Sequence, residues 1–191
     1  GTVMLPRIAN LYAKRAFKKV REYTYNSFDF VLAIVVPMAF GIAGLATALA
    51  PWFFGRHFTS VNTLLMIVSP VLILIGLSNV IGQQYLLPTK QTKVYTYSVT
   101  VGAIVNVVLN IPLIIFWGVQ GSMWATVASE LTVTIYQLIV VRHQLRMDKL
   151  FINCWKYLFS GILMFIVVYM LNISMKITVV SLSLQIIEGL L

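Results

Sequence analysis

The 191 residues are 60% hydrophobic and only 10% charged, whereas a water-soluble domain carries about a quarter of its residues as charges, so there is too little polar surface to cover a soluble core of this size. The 14 lysines and arginines outweigh five acids, giving a formal net charge of +9. They fall in short stretches between long uncharged runs and form no continuous face, which argues for a membrane protein fixing its orientation and against a nucleic-acid surface.

In chain order, Gly1 to Pro6 read as the end of an apolar helix, and residues 1–27 as that end plus a basic cytoplasmic connector. Its basic stretch, Lys14 to Arg21, has Tyr12, Phe17, Val20 and Tyr23 interleaved. An ordinary connector is the preferred reading over an amphipathic helix lying on the leaflet. No charge occurs from Phe30 to Gly55, enough for one crossing of about twenty residues. This first span, about 28–54, contains Pro37, Gly41 and Gly44 and ends in Pro51-Trp52-Phe53-Phe54-Gly55, an aromatic anchor at headgroup level. The second span covers about 59–88, with a kink expected at Pro70. The uncharged run from Val94 to Ser129 is too long for one helix. Trp117-Gly118-Val119-Gln120-Gly121 divides it into a hairpin of spans at about 94–116 and 121–141. Residues 28–141 thus form a four-helix transmembrane core. A cytoplasmic loop at 142–156 follows, and 157–191 supply one more span and part of a last helix. The fold class is all-α integral membrane, a multi-span helical bundle. Because Gly1 to Pro6 read as the end of a helix and Ile177 to Leu191 are too few for a crossing, both ends are expected to be truncated, and no signal peptide is expected in the chain.

Alternating spans sort the basic residues. Arg7, Lys14, Arg15, Lys18, Lys19, Arg21, Lys90, Lys93, Arg142, Arg146, Lys149 and Lys156 fall on one side, and Arg56 and Lys176 on the other. That asymmetry places the segment before the first span in the cytoplasm, near anionic headgroups.

Polar groups inside spans are costly. Glu130 falls mid-span, where a carboxylate costs about 2.5 to 3.5 kcal/mol and normally faces a bundle interior or cavity. Ser122, Thr126, Thr134 and Gln137 continue its helical face. Asn106 and Asn110 share a face of the preceding span, and Asn79 and Gln83 share one of the span before that. These seven positions, Glu130, Asn106, Asn110, Asn79, Gln83, Thr126 and Gln137, are the cavity candidates, against the plainer role of tying helices together. Nothing suggests an enzyme: the five acids never pair in one loop. One cysteine, Cys154, and two histidines, His57 and His143, give neither a disulfide nor a metal site, and no cofactor is expected.

The order and spacing of several short motifs add a resemblance. Val3-Met4-Leu5-Pro6-Arg7-Ile8-Ala9, Pro37 with Phe40-Gly41, Pro51 to Gly55, Leu77-Ser78-Asn79-Val80 with Gln84 to Pro88, Asn106 to Asn110 before Trp117 to Gly121, and Ala125 to Glu130 are similar to the C-terminal half of bacterial polysaccharide repeat-unit flippases. This is the Wzx-like branch of the multidrug/oligosaccharidyl-lipid/polysaccharide exporter superfamily. The resemblance implies most of the C-terminal lobe of a 12–14-helix alternating-access transporter in the bacterial cytoplasmic membrane, whose missing N-terminal lobe completes a cationic cavity. The implied substrate is an undecaprenyl-diphosphate-linked oligosaccharide for O-antigen, capsule or exopolysaccharide, with membrane lipids and polymerase or glycosyltransferase machinery as partners. Coupling to an unidentified ion gradient is consistent with that. Diphosphate candidates are Arg7, Lys90, Lys93 and Arg56, all four better placed for topology than for the cavity. The alternatives are a peptidoglycan lipid precursor or a cationic drug as substrate, or a non-transporting assembly subunit.

Overall fold

The computed structural model describes residues 4–54 and 60–174, with side chains described over 4–46 and 61–171; Arg56, Lys176 and the expected last helix lie outside them. The described residues are helical with no strand: α1 Met4–Ala13, α2 Phe17–Phe54, α3 Ser60–Asn79 continued by a π-helical segment Val80–Leu86, α4 Thr92–Trp117, α5 Val119–Val141, α6 Met147–Leu150 and α7 Cys154–Ser174. Five stretches are long and apolar enough to cross a membrane, Phe17–Ala46, Val61–Leu86, Thr92–Trp117, Val119–Val141 and Met147–Leu171. The chain is a multi-pass membrane protein, as its composition requires.

Where the end of a helix and a basic connector are expected over 1–27, the described residues from Met4 on form two helices joined by a tight turn. Helix α1 ends where Ala16 N–H donates to the Leu11 carbonyl and Arg15 N–H to that of Tyr12, both at 2.9 Å, with Arg15 at φ 57°. This is the paired bonding of a Schellman cap with a left-handed residue at its apex. From Phe17 the chain is helical again, because Lys, Arg and Glu are good helix formers even where their charge suggests a loop.

Pro70 lies inside α3 and cannot donate to the Met66 carbonyl one turn back. The Ser69 hydroxyl donates to that carbonyl instead, at 3.0 Å. The helix then widens at Val80–Leu86, where Leu87 N–H reaches the Gly82 carbonyl at 3.0 Å, a five-residue step. A π segment of this kind re-aims the side chains beyond it. Gln84, Tyr85 and Leu86 are buried in consequence while Gln83 stays exposed. A second Schellman cap closes the segment, with Gln91 N–H on the Leu86 carbonyl and Lys90 at φ 64°. The α4–α5 hairpin turns on Gly118 at φ 58°, a conformation that favours glycine.

Helix α2 packs between α3 and α7, α3 packs on α5, and α5 packs on α4. The core lies toward the end bearing most of the basic residues, where Ile8, Val20, Phe28, Leu32, Ile81, Leu86, Val141, Leu145 and Leu150 meet. Hydrogen bonds tie the connections together there. Gln91 and Gln144 exchange amide bonds at 2.8 and 2.9 Å. The Tyr85 hydroxyl donates to Gln144 at 3.1 Å, and the Tyr25 hydroxyl accepts from Arg146 N–H at 2.9 Å. Asp29 accepts from Asn153 and from the Tyr157 hydroxyl, both at 2.9 Å, which fastens α7 to α2. The expected loop at 142–156 is thus a tethered strap containing α6.

Candidate functional site

Helices α3 and α4 both lean on α5, while the principal contacts of α4 are with α5 and the π segment. The wedge left between α3 and α4 is a cleft of about 490 Å³. Ile75, Ser78 and Asn79 line it from α3, Tyr95, Val99, Gly102, Ala103, Asn106 and Val107 from α4, and Thr126, Ser129, Glu130, Val133 and Gln137 from α5. Glu130 is eleven residues from each end of α5, roughly 16 Å along the axis at 1.5 Å per residue. The cleft therefore runs from mid-span toward the basic end.

Small residues set its depth. A Cβ on Gly102 would collide with Val133 Cγ2, so α4 and α5 approach closely, and the Ser129 hydroxyl seals the contact on the Gly102 carbonyl at 2.7 Å. At the basic end Tyr95 and Gln137 close over Gly82, where a Cβ would stand 2.7 Å from Tyr95 Cε2 and 3.0 Å from Gln137 Nε2. Gln137 is 1% exposed. Its amide nitrogen donates to the Ser98 hydroxyl at 3.0 Å, while its carbonyl oxygen has no hydrogen-bond partner. An unsatisfied buried acceptor costs about 1 to 3 kcal/mol.

Of the seven cavity candidates, Glu130, Asn106, Asn79, Thr126 and Gln137 are brought together on this cleft. Gln83 is not; it points outward and donates to Asn79 Oδ1 at 2.8 Å. Asn110 lies beyond the cleft in contact with Asn106 at 3.5 Å. The α5 stripe is also not continuous. Thr134 is buried in the α3 seam and donates to the Leu74 carbonyl at 3.1 Å, a helix tie of the structural kind, and Thr126 donates back to Ser122 within its own helix at 3.0 Å.

Sequence reasoning missed Tyr95, Ser78 and Ser129. A signal existed for Tyr95: with Val99, Gly102 and Asn106 it forms one row at helical spacing. That row runs from Asn106 toward the basic end, whereas Asn110 lies one turn the other way.

The cleft lining carries one carboxylate and no lysine or arginine. Among the described residues the ion pair formed is Arg146–Asp148, at 2.6 Å on the surface, so Glu130 has no cationic partner there. Nor do those residues contain a group of three or more His, Cys, Asp or Glu able to hold a metal. Lys90 is the exposed apex of its cap and Lys93 is exposed in the first turn of α4; neither lines the cleft. Arg7 sits elsewhere, its guanidinium 4.4 Å from the Tyr23 ring centroid and donating to the Tyr23 hydroxyl at 2.5 Å.

A family model described as lipid II flippase MurJ matches residues 1–188. Lipid II flippase MurJ of Bacillus subtilis (strain 168) is 24% identical over 145 residues, which are 74% of this chain and 26% of that protein. A flippase of Haloferax volcanii named for low-salt glycan biosynthesis, Agl15, is 24% identical over 129 residues, 68% of this chain and 27% of that protein. A solved structure of lipid II flippase MurJ in an inward closed conformation superposes with a TM-score of 0.79 at 20% identity, over 99% of this chain and 40% of that one. The chain spans about a quarter of the length of these curated relatives.

Proposed function

We propose a transport function for this chain, which belongs to the lipid II flippase MurJ family: it is part of a flippase that turns a lipid-linked saccharide precursor across the cytoplasmic membrane. The match to this family model supports the peptidoglycan lipid precursor as the favoured substrate over the polysaccharide repeat unit of the Wzx-like branch that the motifs resemble. The observation that carries the reading is the mid-span cleft lined by Asn79, Asn106, Thr126, Glu130 and Gln137. A sugar headgroup cannot cross roughly 30 Å of hydrocarbon with its polar groups unpartnered, each costing several kcal/mol. Amides, hydroxyls and a carboxylate at that depth supply partners for sugar hydroxyls. Because the lining offers no cation, we assign the saccharide to this cleft and the diphosphate to another part of the protein.

In this reading Glu130 hydrogen-bonds the headgroup or carries a coupling ion or proton through the cycle. A repeat-unit substrate is the second reading, supported by the likeness to the glycan biosynthesis flippase of Haloferax volcanii. The test is to express the full-length gene that contains this sequence in two strains, one depleted of its peptidoglycan-precursor flippase and one lacking its repeat-unit flippase. Rescue of the first is the expected result, and rescue of the second alone favours the repeat unit. Rescue of neither, at confirmed membrane expression, overturns the transport reading.

A further inference from the structure

A second pocket, of about 430 Å³, lies between α1 and the start of α2 and is lined by Pro6, Arg7, Asn10, Leu11, Lys19 and Tyr23. It has two cations, an amide and no carboxylate in its lining. Neither Arg7 nor Lys19 forms an ion pair among the described residues, so both charges are free to act on a ligand. Arg7 is also held in place: Tyr23, half-buried on α2, takes one guanidinium N–H on its hydroxyl and lies under the guanidinium plane. That fixes a fork whose remaining N–H groups match the geometry of phosphate oxygens. Lys19, in the first turn of α2, adds a mobile point charge. The pocket sits at the basic end, beside the Schellman turn at Lys14–Ala16, where a bilayer presents its headgroups and an anionic leaflet attracts basic residues.

We propose that this pocket binds a phosphate group, with the Arg7 guanidinium as its oriented ligand and Lys19 as its second cation. The phosphate is either that of an anionic phospholipid headgroup in the adjoining leaflet or a free phosphate from solution. The site shares no lining residue with the cleft and does not depend on what the cleft transports.

The test uses the purified protein in a neutral detergent, titrated calorimetrically with dihexanoyl phosphatidic acid, with dihexanoyl phosphatidylcholine and with inorganic diphosphate. Phosphatidic acid should bind more tightly than the zwitterionic lipid. Arg7→Gln should weaken that binding roughly tenfold or more, as expected for losing a charge-assisted bond to phosphate. Lys19→Gln should weaken it several-fold, and Lys149→Gln, an exposed cation of the same end outside the pocket, should not change it. Diphosphate binding as tightly as the lipid, with the same variant pattern, identifies free phosphate as a ligand; much weaker binding identifies the headgroup. Should Arg7→Gln fail to fold, Arg7→Lys keeps the charge but not the fork and must still weaken binding, as must Lys19→Gln. Wild-type protein that binds none of the anionic probes overturns the proposal. So does a Lys149→Gln loss equal to that of the pocket variants, which would reduce the effect to diffuse surface charge.

Discussion

The two ends of the α3–α5 contact solve opposite problems with the same helices. Toward the basic end, Ile81, Leu86, Val141 and Leu145 leave no room between elements, and the amides of Gln91 and Gln144 satisfy one another. At mid-span α3 and α4 part, and Asn106 and Glu130 face a cleft. Polar groups in a membrane either pair within the protein and fix a joint, or stay unpaired and await a ligand. Thr134, on the Leu74 carbonyl, and Glu130, facing the cleft with no ion pair among the described residues, illustrate the two cases.

The sharpest way to break this contrast is at Glu130. Replacing it by Gln keeps shape and hydrogen bonding but removes the charge and the titratable proton, and in an export or rescue assay it should insert normally yet lose roughly tenfold or more of the activity, with Glu130→Leu no better. Wild-type activity at matched expression would make Glu130 a helix tie like Thr134. Next in size, Phe28→Ala empties a fully buried site that stacks edge-on against Phe151 at 5.4 Å. It should cost about 3 kcal/mol, read as a lower unfolding midpoint in detergent, whereas Val107→Ala at the cleft, 61% exposed, should stay within about 0.5 kcal/mol. Equal costs would mean that the cleft is as tightly packed as the core. Gln144→Ala leaves Gln91 and Tyr85 without their partner and should cost about 1 kcal/mol. The smallest effect has the opposite sign. Lys90→Gly relieves a left-handed backbone and should stabilise by up to about 1 kcal/mol, against any role for Lys90 in ligand binding, which would instead show as lost activity.

The five spans were legible because an uncharged run of twenty residues has few other uses, and the hairpin because Gly118 and Gly121 punctuate it. Glu130, Asn106, Asn79, Thr126 and Gln137 were legible as expensive polar groups on helical faces. The division of labour among them was not. Whether a threonine bonds its own helix, as Thr126 does, or a neighbour's carbonyl, as Thr134 does, depends on a rotation about α5 that periodicity does not resolve. The π segment has no compositional mark, since one extra residue per turn leaves Val80–Leu86 as apolar as before. Nor does charge distinguish a basic loop from a basic helix, so α2 begins well before its apolar stretch does. The partners of Asp29 lie 124 and 128 residues away, beyond any local pattern.

That last joint has a consequence for how the chain is strung. Helices α5 and α7 are successive crossings in sequence, yet α7 packs on α2, so the path leaves one flank of the bundle and rejoins it at another. The segment 142–156 is therefore a bridge of fixed span, pinned in transit by Tyr25 and at its far pier by Asp29. Extra residues inserted near the exposed His143 can loop outward at small entropic cost. Removing a few draws the bridge taut, and because the first crossing cannot lean toward the fourth without leaving the second, the fifth crossing would come away from its flank.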